Sequence, residues 1–266
     1  MRSLGLLPEL GLTVVVVCMA GVAQGQKNET SVRPLEFSSI IQHVEQAQRD
    51  ARPQLSYQVV RRYQLLESKR SQVNSNVVAE VEYSPPDRET YVIQERSGSS
   101  RGEQVVKRIL DHEVAMVAAD PATRSEALLT RDNYTFTNLG ESLLDGKSFY
   151  VFGLMPKRKQ KELIAGRAWV DKRTFQIRRI EGEMAKSPSW LLKKVYVRLD
   201  FSEVSGLWIQ RALEATADVR FAGSQTLQAQ TVDCRTPTVV AAHGNPKYGR
   251  TLHPSIPAEL LLPSVR

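Results

Sequence analysis

Residues 191–201 read LLKKVYVRLDF and residues 207–217 read LWIQRALEATA. In the first stretch Leu191, Val195, Val197, Leu199 and Phe201 share one parity against Lys194, Arg198 and Asp200, and only Lys193 interrupts the apolar row. In the second, Leu207, Ile209, Leu213, Ala215 and Ala217 oppose Gln210, Glu214, Thr216 and Asp218. A period of two is that of a pleated strand, and apolar-in, polar-out alternation marks an antiparallel sheet with one buried and one wet face. Ser205-Gly206 between the stretches is turn chemistry, so they form a hairpin.

The same pattern extends in both directions. Strands are expected at 134–138, 147–155, 163–170, 175–184 and 219–231, separated by turn-prone pieces such as Asp145-Gly146 and Asp171-Lys172-Arg173. In 147–155, Phe149 and Val151 point one way and Tyr150, Phe152 and Leu154 the other, so this strand should be covered on both faces. Further upstream, Tyr57, Val59, Tyr63 and Leu65 share a face that Arg61 interrupts; Val73 to Tyr83 follows, then Pro85-Pro86-Asp87 and a third strand at 89–96. Two segments instead have helical spacing: 35–52, with Phe37, Ile40, Ile41, Val44 and Ala47, and 103–119, with Val106, Ile109, Leu110 and Val117. Helical character resumes over 123–129.

Composition fits one β-rich domain. The chain has 266 residues, 41% hydrophobic and 24% charged, which excludes disordered and fibrous classes. Residues 1–25 read as a secretion signal: Arg2 precedes an apolar run that includes Val14 to Val17, and small residues follow up to Ala23 and Gly25. The run is too short to span a bilayer. Cys18 raises the alternative of a lipoprotein signal, but Val17 stands where that processing requires a small residue. Removal of the leader leaves Cys234 alone, with no internal disulfide open to it. Residues 26–34 form a polar linker, 35–233 the domain, and the Pro-punctuated 234–266 a mobile tail.

The sequence carries no recognisable catalytic pattern. No G-x-S-x-G motif occurs, and His43, His112, His243 and His253 lack metal-ligand spacing. Glu181 and Glu183 share a strand face, as a catalytic pair would, although a cross-strand ladder with basic neighbours is the commoner arrangement. Neither a phosphate loop nor a dinucleotide fingerprint is present, so neither enzyme activity nor a cofactor is expected. The net charge of +7 favours anionic membrane surfaces or acidic partners, and no nucleic-acid module accompanies it. Lys157, Arg158, Lys159 and Lys161 cluster between two strands, first as a solvated hairpin tip that adds nothing to fold stability, second as a membrane or client contact.

The segments FYVFGLMPK (149–157), GRAWVD (166–171), FQIRRIEG (175–182) and KSPSW (186–190) together resemble the bacterial outer-membrane lipoprotein-sorting superfamily of LolA, LolB and RseB-like periplasmic proteins. The resemblance spans about residues 35–233. It implies an α+β fold, mainly β: an unclosed, strongly curved antiparallel β-barrel with helices on the concave face. It also implies a periplasmic carrier or binding protein for lipid or lipoprotein acyl chains. The alternation itself places Leu191, Val195, Val197, Leu199 and Phe201 on the concave face, where part of the row is expected to line a ligand cavity that two helices do not fill. A periplasmic stress sensor that binds a regulatory partner is the alternative, and an orphan hydrolase the third reading. The acylated cysteine of the outer-membrane receptor has no counterpart in this chain.

Overall fold

The computed structural model describes residues 35–51, 53–67, 72–220 and 223–236. The leader, the linker and the chain from 237 onward lie outside the described residues, as do His243 and His253. Ten strands form one antiparallel sheet in the order β3-β2-β1-β10-β9-β8-β7-β6-β5-β4. They are β1 (Tyr57–Glu67), β2 (Gln72–Ser84), β3 (Arg88–Gly98), β4 (Tyr134–Leu144), β5 (Lys147–Pro156), β6 (Ile164–Asp171), β7 (Ile177–Met184), β8 (Leu192–Val204), β9 (Leu207–Val219) and β10 (Gly223–Arg235). β3 and β4 are the two edges and do not pair, so the sheet is unclosed. The chain passes from one edge to the other through α2 (Ser100–Ala118) and α3 (Pro121–Ser125), and α1 (Phe37–Asp50) precedes β1.

Register separates the faces cleanly. Arg167, Glu181, Arg198, Glu214 and Gln228 stand directly opposite one another across β6, β7, β8, β9 and β10. This is an alternating ladder on the wet face, with Arg167 donating to Glu181 at 2.8 Å. The ladder reading of Glu181 therefore holds. One residue along, Phe152, Ala168, Ile180, Leu199, Leu213 and Ala229 form the neighbouring apolar row on the inner face. Register shifts at Val60/Arg61, Val78/Ala79, Trp169/Val170 and Asp200/Phe201 add local bend and twist, which curve a sheet of this width.

Two helices cover the inner face. α1 buries Ile40, Ile41 and Val44 against β4 to β8, and Phe37 meets Phe152 edge-on at 5.3 Å. α2 buries Val106 and Leu110 against β1, β2, β9 and β10. β5 is covered on both sides as its pattern requires. Phe152 and Leu154 join the α1 cluster, while Phe149 and Val151 pack with Trp169 on the outer face. The Arg167 and Arg179 guanidinium groups lie 5.4 and 6.0 Å from the Trp169 ring centroid.

Several boundaries differ from those expected. α3 begins at Pro121 because the Asp120 carboxylate caps Ala122 and Thr123 (2.9 and 3.1 Å), and it ends at Ser125, short of Leu129. β4 continues to Leu144 across a register shift at Gly140, whose φ of +86° suits glycine. Phe175 lies before β7, in the turn, and stacks on His43 at 4.6 Å. Cys234, placed in the tail on sequence, belongs to β10, where it pairs with Val59 and is buried.

Candidate functional site

The α1 and α2 clusters sit on one inner face and share a single residue, Ala215 of β9. Between them the apolar side chains are less covered: Leu199 and Phe201 of β8 and Leu213, Ala215 and Ala217 of β9 are only partly buried. Val195 and Val197 are buried beneath α1. Leu191 is the correction to the expected row. It is 40% exposed and precedes β8, because a register shift between Leu192 and Val195 reverses the parity and packs Leu192 into the cluster instead. Lys193, which breaks the pattern in sequence, lies within that irregularity. Two surface depressions of about 270 and 370 Å³ are present among the described residues, and no residue of the β8 row lines either.

α1 is held to the β4 side by polar contacts at its C-terminal half. Gln48 donates to Leu129 O and accepts from Leu129 N, each at 2.9 Å. Glu45 accepts from Arg131 N (2.7 Å) and from the Arg131 guanidinium (3.0 Å). Burial pushes the Glu45 carboxyl up, but these hydrogen bonds outweigh it and hold the group below its ordinary value.

Beneath α2 lies a buried ionic cluster that sequence reading caught only in part. Arg61 projects from β1 into the core face and donates to Glu113 of α2 at 2.6 Å; its side chain is 12% exposed. Glu89, at the start of β3, is 8% exposed and faces both Arg61 and Glu113. Tyr63 is 1% exposed, and its hydroxyl faces the Arg61 guanidinium. One cation thus serves two carboxylates in an apolar setting. The interruption of the β1 face by Arg61 was the visible signal; Glu89 and Glu113 gave none.

The cluster predicts a pH dependence. Burial first, and the Glu113 carboxylate second, push Glu89 up to about 7, with Arg61 opposing. The unfolded chain titrates near the ordinary value of 4.5, so the folded state binds more protons between the two values. Stability from this group is therefore present below about pH 5 and lost as the pH rises through 7, by on the order of 2 kcal/mol. Urea unfolding of parent and Glu89→Gln at pH 5 and pH 8 measures it. The variant should lack this share of the pH dependence, and an unchanged difference between the two pH values would refute the assignment.

The basic loop divides in two. Lys157 Nζ donates to Arg131 O at 2.5 Å, and Arg158 donates to Asn133 Oδ1 and Gln160 Oε1, both at 2.7 Å. Asn133 is itself buried and bonds Ser125 O and Leu128 O. Arg158 therefore ties the loop to the segment before β4, which corrects the expectation that these charges contribute nothing to the fold. Lys159 and Lys161 instead line the larger depression, with Lys186, Ser187 and Pro188 from the β7–β8 connection.

No grouping of three or more His, Cys, Asp or Glu side chains able to hold a metal occurs among the described residues, and none of their helices is long and apolar enough to cross a membrane. His43 Nδ1 lies 2.8 Å from Ser39 O.

Fold and site together define an open α+β half-barrel whose inner face is apolar and roofed by two helices. No family model and no curated protein matches the chain. Among solved structures it is similar to a domain assigned to outer-membrane lipoprotein sorting from Vibrio parahaemolyticus (12% identity, 76% of this chain and 94% of that one, TM-score 0.42). It is also similar to a LolA superfamily protein from Nitrosomonas europaea (13%, 76% and 94%, 0.36). A third is the MucA/MucB complex of Pseudomonas aeruginosa (10%, 76% and 94%, 0.24). At such identities and scores the likeness extends to neither family nor function.

Proposed function

We propose that the protein is an exported, periplasmic binding protein for an apolar chain, a lipid or the acyl group of a lipoprotein, which it takes up on the inner face of the half-barrel. The observation that carries this reading is the division of that face. Two apolar clusters, each beneath its own helix, meet at Ala215, and the strip of β8 and β9 between them is incompletely buried. A chain entering along this strip would displace part of α1 and replace Ile41 and Val44 as partners of Val195 and Val197. The two described depressions are not lined by this row; on this reading α1 yields as the chain enters.

The two functions of α1 then oppose each other. Ile41→Ala with Val44→Ala removes buried methyl groups and lowers stability by about 2–5 kcal/mol, yet it should strengthen binding of a fluorescent fatty acid by weakening the competitor. Val197→Phe should weaken probe binding. Unfolding free energy and probe affinity, measured on all three proteins, test this. Absence of probe binding by both the parent and the α1 variant refutes the proposal.

A further inference from the structure

One end of the sheet presents an indole to water. Trp190, in the β7–β8 connection, is 74% exposed and Leu191 beside it is 40% exposed. The other two indoles are engaged: Trp169 is 9% exposed between two arginines, and Trp208 Nε1 donates to Ile177 O at 3.1 Å. A large aromatic left outside while its fellows are packed is informative in a way that a lone exposed leucine is not.

The exposure is built into a tied turn. Ser187 Oγ donates to Ser189 O and Leu192 O at 3.0 and 2.8 Å, Leu192 N donates to Ser189 O, and Arg220 N, beyond β9, donates to Leu191 O at 2.8 Å. The turn holds Trp190 and Leu191 outward without support from the core.

Lysines cluster at the same end of the sheet. Lys186 of the same connection shares a depression with Lys159 and Lys161 of the β5–β6 loop, and Lys193 follows on the exposed start of β8. Carboxylates at this end include Glu162, 3.7 Å from Lys161, Glu183, 3.6 Å from Lys194, and Glu126, which accepts from Gln160 at 3.2 Å. At the opposite end of the sheet the turns alternate in sign, with Asp87 beside Arg88, Asp145 near Lys147, and Asp171 beside Lys172. Among the described residues, an exposed indole and several lysines coincide at this end.

We infer that this end is a docking surface for an anionic lipid bilayer, with Trp190 and Leu191 entering the interface while Lys159, Lys161, Lys186 and Lys193 face lipid phosphates. Indole is amphipathic and partitions to the headgroup level, and lysine stems extend its apolar surface while their amines remain hydrated. Near an anionic leaflet each lysine contributes roughly fivefold in affinity, within a Debye length. This inference does not depend on the apolar-chain reading, because the docking residues lie outside the α1 and α2 clusters.

The test uses the full chain with vesicles of phosphatidylcholine, with and without 30% phosphatidylglycerol (roughly the anionic share at which such attraction is measurable). Binding to the anionic vesicles at low salt, with a blue shift of tryptophan emission, is expected. W190F should keep the parent melting temperature and lose the shift. Lys159→Ser, Lys161→Ser, Lys186→Ser and Lys193→Ser combined should weaken binding by a factor on the order of several hundred. Equal binding by the lysine variant, an undiminished shift in W190F, or binding to soluble polyglutamate but not to vesicles would each overturn the inference, the last by marking an acidic protein partner instead. A failed fatty-acid assay would leave this result untouched.

Discussion

Replacing Arg61 with alanine is expected to lower the unfolding free energy by about 3–5 kcal/mol at pH 8. Arg61 is the only cation facing Glu113 and Glu89 in the described core beneath α2, at 2.6 Å from the former. Its loss leaves two carboxylates close together in an apolar setting, a larger penalty than the loss of the pair's own attraction. The deficit should shrink toward pH 5, since Glu89, pushed up to about 7 by burial and by Glu113, then takes up a proton and one of the two charges disappears. Arg61→Met combined with Glu113→Leu and Glu89→Gln removes all three charges and should recover most of the loss. Urea unfolding of the parent, the single and the triple variant at both pH values decides the matter, and a single-variant loss below about 1 kcal/mol at pH 8 would show the cluster to be hydrated.

The second large effect belongs to a glycine pair. Gly166 of β6 and Gly182 of β7 stand opposite each other, and a Cβ built on Gly166 would lie 2.6 Å from Gly182 Cα and overlap the Glu181 carbonyl oxygen. A Cβ on Gly182 would meet Gly166 Cα at 2.7 Å. Every obstructing atom is backbone, so no side-chain rotation relieves the overlap and the strands must part. Gly166→Ala should therefore cost about 3 kcal/mol, and adding Gly182→Ala should cost less than the sum, because the first substitution has already separated the strands. Gly146→Ala, at a turn with φ +74° and nothing within 4 Å, should cost only about 1–2 kcal/mol. Thermal melts of the three variants compare the two situations; similar losses for Gly166 and Gly146 would mean that the close approach carries no weight.

That pair also shows what the sequence made legible. Gly166 and Gly182 lie in GRAWVD and FQIRRIEG, segments that carried the family resemblance, yet their spacing alone does not say that they oppose each other. The strand series was readable because period-two alternation survives in almost every strand, and the two helices because Ile40, Ile41 and Val44, and Val106 and Leu110, keep helical spacing. Leu191 was misplaced because a bulge changes parity without changing composition. Arg158 was taken for a solvated charge because its partner Asn133 lies 25 residues away on another segment. The Arg61 cluster was only half visible for the same reason: an arginine on an apolar strand face stands out, but the glutamate that neutralises it is 52 residues distant, on an otherwise ordinary amphipathic helix.

The strand order also constrains how the molecule can be made. The meander β3-β2-β1 joins the rest of the sheet only through the ladder of β1 on β10, the last strand of the described chain. Non-local pairing of this kind forms slowly, since the entropy of closing a long loop is lost before contacts repay it. On the ribosome, Val59 and Tyr63 are synthesised long before Ala229 and Cys234 arrive to pair with their strand. Until then β1 is an open edge with an apolar face. Removal of β10 takes away the one strand ladder that joins the N-terminal meander to the rest of the sheet.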